Sequence, residues 1–244
     1  MSVMERFDKI ISHFGGLTRR EAKLAIRQGR ALYNGRVVLA EQSVDTVCDS
    51  VTLDGRVLPL GGFAYLMLHK PADILSAARD SHAKTVVDLV PKSLWRKGLF
   101  PAGRLDKNTT GFILLTDDGS LAHRMLTPKK HVYKTYEMQL EIPLDARQIS
   151  LMESGMTLHD GTQCLPAEVC VLVEKSAETG ENWAQIRIRE GKYHQIKRMA
   201  HVSGNEVLAL KRTAIGALRL DPNLREGDCR ALTREEVALI FSGE

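Results

Sequence analysis

The chain has 244 residues, 43% hydrophobic and 26% charged, the balance of a folded globular protein with a sizeable core rather than a disordered one. No run of about 18 apolar residues occurs, and the charged start "MSVMERFDKI" lacks an apolar signal core, so neither a membrane span nor secretion is expected. A net charge of +4 does not by itself call for a nucleic acid, but the distribution of charge says more.

Between Arg6 and Arg36 the bases Arg6, Lys9, Arg19, Arg20, Lys23, Arg27, Arg30 and Arg36 face only Asp8 and Glu21, as in an anion-binding module. Phe7, Ile10, Ile11 and Phe14 recur at helical spacing, closed by Gly15-Gly16. Thr18 with Glu21 forms a capping box, opening a helix that reaches about Gln28 before Gly29. On that helix Arg19, Arg20, Lys23 and Arg27 share one arc, while Ala22, Ala25 and Ile26 face a core. In "ALYNGRVV" Asn34-Gly35 separates two short β-prone runs, which predicts a hairpin. This stretch resembles the small α-L RNA-binding domain first seen in a small-subunit ribosomal protein, with "ALYNG" departing slightly from that family's "V-x-V-N-G". The match covers roughly residues 5 to 50 and implies structured RNA as ligand, bound mainly through phosphates and shape. Arg19, Arg20, Lys23, Arg27 and Arg30 are the expected contacts. "LPLGGF", residues 58 to 63, reads as a linker, giving expected domains of 1–60 and 61–244.

Downstream, "AYLMLHKP" reads as a buried strand ended by Pro71, "KTVVDLVP" as a short element ended by Pro91, and "FILLT" as a strand leading into a helix at "DDGSLAHRML". In "VYKTYEMQLEI" the residues Val132, Tyr136, Met138, Leu140 and Ile142 fall on one face, as do Ala184, Ile186 and Ile188 in "WAQIRIR". Helices are expected at "YHQIKRMAHV" and, after the capping box Thr233…Glu236, at "REEVALIF". Strands and helices mix without a regular βαβ rhythm. The predicted fold class is α+β: a small helix-plus-hairpin domain, then a larger mixed, mainly antiparallel sheet with flanking helices. Cys48, Cys164, Cys170 and Cys229 are scattered, as buried reduced thiols of a cytoplasmic protein would be, and the eight histidines show no zinc spacing.

"GRLDKNTTG", residues 103 to 111, isolates Asp106 ahead of "FILLT". By itself this aspartate fits a turn, a two-carboxylate site with Asp117 or Asp118, or the first position of a calcium loop ending at Asp117. The calcium reading suffers because the second half of the loop is continuously apolar, with Leu114 at its ninth position.

The surrounding fragments resolve these options by resemblance. "GRLDKNTTGFILLTDDG" resembles the catalytic motif of pseudouridine synthases, "KTYEMQL" their tyrosine motif, and "IREGKYHQIKRM" the motif in which a basic residue follows "HQ-I/V". With "YLMLHKPADILS" and "KTVVDLVP", the likeness covers most of residues 64 to 240 in the family's order. It implies isomerisation of uridine to pseudouridine without cofactor or metal. Asp106 would be the catalytic carboxylate, as nucleophile or base, and Lys197 its cationic neighbour. Tyr136 would stack on the flipped base or relay the proton from carbon-5; Arg104 would fill the vacated stack or hold a phosphate. Lys129, Lys130, His131, Lys134, Arg187, Arg189 and Arg198 would line the RNA approach. The N-terminal module points to the branch acting on ribosomal RNA, and "YHQIKRM" to its 16S enzymes rather than the 23S ones. The expected partner is thus 16S rRNA in a small-subunit assembly intermediate, approached by a cytoplasmic monomer.

Overall fold

The computed structural model describes residues 4–45, 50–58, 63–127 and 132–242, and the chain divides into two compact units, 1–63 and 64–244. Cys48, Lys129, Lys130 and His131 lie outside the described residues.

In the first unit, β1 (Met4–Arg6) leads into α1 (Phe7–Phe14), and α2 (Arg19–Arg27) follows after a turn. Thr18 caps α2 with the reciprocal Glu21 bond of a capping box. Phe7, Ile10 and Ile11 from α1 pack with Ala22, Ala25 and Ile26 from α2, as their spacing predicts. The remaining strands are β2 (Ala31–Tyr33), β3 (Ser43–Asp45), β4 (Val51–Leu53) and β5 (Arg56–Val57). The predicted hairpin needs correction. Asn34 and Gly35 do turn the chain at φ 47 and 77, but their hairpin is a single bridge, Tyr33 to Arg36. Asn34 instead exchanges two 2.8 Å bonds with Ser50, and β2 takes β4 as its partner. β3 pairs with β1, a strand the sequence did not announce.

The second unit is built on one mixed sheet. Its strands in chain order are β6 (Tyr65–Lys70), β7 (Phe100–Pro101), β8 (Thr110–Thr116), β9 (Lys134–Leu140), β10 (Met156–Thr157), β11 (Gln163–Cys164), β12 (Glu168–Val171), β13 (Asn182–Ile188), β14 (Val207–Ile215), β15 (Leu218–Arg219) and β16 (Cys229–Ala231). The spatial order is β12-β13-β9-β14-β8-β6-β16, with β15 on β14, β7 on β8, and β10-β11 a separate ribbon. Only β14 with β8 is parallel among these described pairs; the rest are antiparallel.

"FILLT" is apolar throughout because β8 is covered on both faces. Ile113 and Leu115 pack with Tyr136, Met138 and Ile186, while Phe112 and Leu114 pack with Met67, Leu121 and Met125. Helices α4 (Ala146–Glu153) and α6 (Gln195–Ser203) supply Met152 and Met199 to the first core; α3 (Gly119–Leu126) closes the second. Helix α5 (Val173–Thr179) follows β12 in the chain and turns back onto β13 and β9, with Lys175 over the Trp183 ring and paired with Glu137, and α7 (Arg234–Leu239) starts at the Thr233 capping box. The alternating face of β9 is shorter than expected: Val132 joins the second core and Ile142 is exposed beyond the strand end. Cys170, expected to be buried, is exposed on edge strand β12, while Cys164 is buried.

Candidate active site

Asp106 projects from the loop between β7 and β8, and two features of the fold fix that loop. Gly111, at φ +101, pairs with Arg212 of β14, and a Cβ there would stand 2.2 Å from the Arg212 carbonyl oxygen. Only glycine allows this close parallel approach, which sets where the loop ends. Lys70, at the end of β6, is wholly buried and donates 2.9 Å hydrogen bonds to the carbonyls of Pro71, Lys107 and Thr109. Burial pushes its ammonium down to about 8, against the opposing pull of Asp73 and Asp106. Ser76 adds a reciprocal pair of bonds to the backbone of Leu105. The backbone on either side of Asp106 is therefore held from beneath by the segment that follows β6.

Two cations or potential cations face the carboxylate. Lys197, on the first turn of α6, places Nζ 3.6 Å from Oδ2 and donates a 2.6 Å bond to Asn108 Oδ1. His194 places Nε2 3.6 Å from Oδ1. Its backbone is left-handed, at φ 48 and ψ 34, a conformation that a residue with a side chain adopts at a cost of about 1–3 kcal/mol. Neighbouring bonds hold that turn: Gln195 Oε1 accepts from the Lys192 N–H, and Gln195 Nε2 donates to Glu190. The carboxylate thus sits beside Lys197 and His194 while about a quarter exposed.

Behind Asp106 is a cavity of about 60 Å³ lined by Arg104, Tyr136, Ile188, His194 and Leu210. Tyr136, on β9, is buried, and its hydroxyl accepts from Arg212 at 3.4 Å. Arg212 is itself buried on β14, with Nε donating to the Phe112 carbonyl at 2.7 Å and Nη2 without a hydrogen-bond partner among the described residues. A guanidinium so placed holds the phenol oxygen from behind. Apolar Ile188 and Leu210 beside the phenol, the carboxylate and the polar Arg104 and His194 suit a planar, partly polar ring.

The predicted residues therefore divide. Asp106, Tyr136 and Arg104 line one cavity, and Lys197 reaches the Asp106 carboxylate from outside its lining. Arg198, next to Lys197 in sequence, is instead tied to Asp160 at 2.5 Å. Lys134 is a correction: rather than lining an RNA approach it is buried, with Nζ donating to the carbonyls of Met125 and Val132. Burial pushes it down to about 8 as well. Arg187 pairs with Glu168 across β12 and β13. In the first unit Arg30 is paired with Asp54 and Lys23 lies 4.0 Å from buried Asp8, whereas Arg19, Arg20 and Arg27 are exposed and form no ion pair among the described residues. Neither acid alternative survives. Asp117 accepts from the Ala64 N–H and Asp118 caps α3, while Leu114 of the would-be calcium loop is buried in β8.

Sequence reasoning missed Lys70, Ser76, His194 and Arg212. Only His194 had a local signal, its place in "YHQIK"; the others act through contacts distant in the chain.

The arrangement has counterparts. A protein of Bacillus subtilis named as an uncharacterized RNA pseudouridine synthase is 42% identical over 96% of this chain and 98% of its own. The ribosomal small subunit pseudouridine synthase A of Pseudomonas aeruginosa is 37% identical over 96% of this chain and all of its own. A crystal structure of a pseudouridylate synthase, 34% identical, superposes with a TM-score of 0.67 over 96% of this chain and 99% of that one. The model of one family, RNA pseudouridylate synthase, matches residues 64–202, the span that carries the Asp106 loop, Tyr136 and Lys197. With that span matched and near-complete relatives well above 30% identity, this chain belongs to the RNA pseudouridylate synthase family.

Proposed function

We propose that the protein converts a specific uridine of 16S ribosomal RNA to pseudouridine in the cytoplasm, using Asp106 as the catalytic carboxylate. The observation that carries this reading is the Asp106 carboxylate, held 3.6 Å from Lys197 at the mouth of a cavity floored by Tyr136. The reaction breaks the bond from N1 to the ribose anomeric carbon, turns the base, and joins carbon-5 to the same carbon. Carbon-5 gives up its hydrogen and N1 gains one, so atoms balance without oxidant or group donor. An ionised Asp106 beside the anomeric carbon serves as nucleophile or base, and Lys197 keeps its charge affordable as the base displaces water. Tyr136, with Arg212 behind its hydroxyl, is placed to stack on the flipped uracil or accept the carbon-5 proton. Arg104 at the rim would occupy the gap in the stack or bind a phosphate.

The N-terminal unit would act as an α-L type RNA-binding domain, with Arg19, Arg20 and Arg27 as free charges on one helix face. The small-subunit target is supported by the name of the Pseudomonas relative and by "YHQIKRM". The test is release of tritium from carbon-5-labelled 16S and 23S transcripts and from a small-subunit assembly intermediate. Release from 16S RNA or its particle is expected. Release from 23S RNA alone would move the target to the large subunit, and release from none would end the enzymatic reading.

A further inference from the structure

Tyr193 is 76% exposed, the second most exposed large hydrophobic side chain among the described residues, yet it is not loose. Its ring stacks on the ring of His194 with centroids 3.9 Å apart and planes at 17°. His194 is in turn fixed by its left-handed backbone and by its approach to Asp106. The Tyr193 carbonyl accepts a 3.2 Å bond from Arg198, whose guanidinium is anchored on Asp160. An aromatic face is thus presented to solvent next to His194, which lines the cavity, and is locked through that ring to the carboxylate. Lys192 precedes this turn and pairs with Glu190 at 3.0 Å, and Lys197 follows it on α6, facing Asp106. A braced turn that ends in an exposed aromatic face suits a flat π-faced ligand such as a nucleic-acid base.

We propose that Tyr193 is a stacking platform for the base of a nucleotide flanking the target uridine, with His194 as its backing. This rests on RNA being the substrate. Holding the neighbouring base at a set distance from Asp106 would keep the strand from following the uridine into the cavity and would fix the frame in which the uridine is extruded. Tyr193 acts here as a binding and positioning residue, not on the reacting atoms.

The experiment compares Asp106→Asn with Asp106→Asn carrying Tyr193→Ala, Tyr193→Phe or Tyr193→Trp, so that binding is read without turnover. Filter binding of a 16S transcript is measured across a salt series. A lost base–aromatic stack corresponds to roughly 10- to 100-fold weaker binding for Tyr193→Ala. Phe and Trp, which keep the ring, should bind within about threefold of the parent. The slope of log affinity against log salt should stay unchanged, because no phosphate contact is removed. Tyr193→Ala binding within twofold of its parent overturns the proposal. So does a slope that falls by a unit, or Phe behaving like Ala. Because this readout needs no catalysis, absence of tritium release by the wild type would sink the enzymatic reading while leaving the Tyr193 result interpretable.

Discussion

Removing the ammonium beside Asp106 tests the electrostatics of the site through Lys197→Met, which keeps the length of the side chain and deletes its charge. At 3.6 Å and an effective dielectric constant of ~20, the attraction between unit charges is ~4.6 kcal/mol. The Lys197 and Asp106 side chains are 23% and 25% exposed, so water screens part of this, and about 2 kcal/mol is a reasonable share. His194 remains opposite the other carboxylate oxygen and softens the loss. At ~1.4 kcal/mol per factor of ten, Lys197→Met should slow single-turnover conversion by roughly 30-fold. Lys197→Arg, which restores charge but fits the Asn108 bond less well, should lose only a few-fold. The assay is tritium release at saturating enzyme, with RNA affinity measured in parallel so that a lost phosphate contact is not mistaken for a lost ion pair. A rate within twofold of wild type for Lys197→Met, or equal losses for Met and Arg, would refute this use of the ion pair.

Lys70→Met strands three carbonyls beneath the Asp106 loop and should lower urea stability by about 2–4 kcal/mol, while a change within error would show that the loop does not depend on them. Because the folded chain holds the Lys70 proton more weakly than the unfolded chain does, its contribution to stability should rise as pH climbs from about 8 toward the unfolded value of ~10.4; the stability curves of wild type and Lys70→Met should move apart over that window, and a constant gap would contradict the burial of a charged ammonium. Gly111→Ala puts a Cβ into the Arg212 backbone and should cost at least ~3 kcal/mol or prevent soluble expression, and a stable variant would contradict the β8–β14 register. Arg19→Ala with Arg27→Ala should leave the unfolding transition in place and reduce the salt slope of RNA binding by about one to two; an unchanged slope would remove α2 from the RNA interface.

Features written in local spacing were legible in the sequence. Thr18…Glu21 and Thr233…Glu236 are capping boxes in the structure, and Ala184, Ile186 and Ile188 face the core as their alternation requires. "FILLT" is the buried strand it resembled, because only coverage on both faces accommodates so continuous an apolar run. The box of Asp145 with Gln148 that opens α4 was equally local and went unread. What the chain hid was long-range. β14 reads as an unremarkable mixed run, yet it lies between β9 and β8, and its Arg212 reaches Tyr136 and Phe112. Lys70 reads as the polar end of a strand, although its ammonium meets carbonyls 37 and 39 residues away. Asn34-Gly35 promised a hairpin, but the pairing edge of β2 went to a strand nearly twenty residues on. For the site, resemblance brought Asp106, Tyr136 and Lys197 together, and the structure supplied the supports that no spacing encodes.

The central claim is that the Asp106 carboxylate carries the chemistry. Its most direct test is single-turnover tritium release from carbon-5-labelled 16S RNA, or from its assembly intermediate, by wild type and Asp106→Asn at matched RNA occupancy. Wild type should release tritium and Asp106→Asn none above background, with RNA binding retained. Equal release by the two proteins would contradict it.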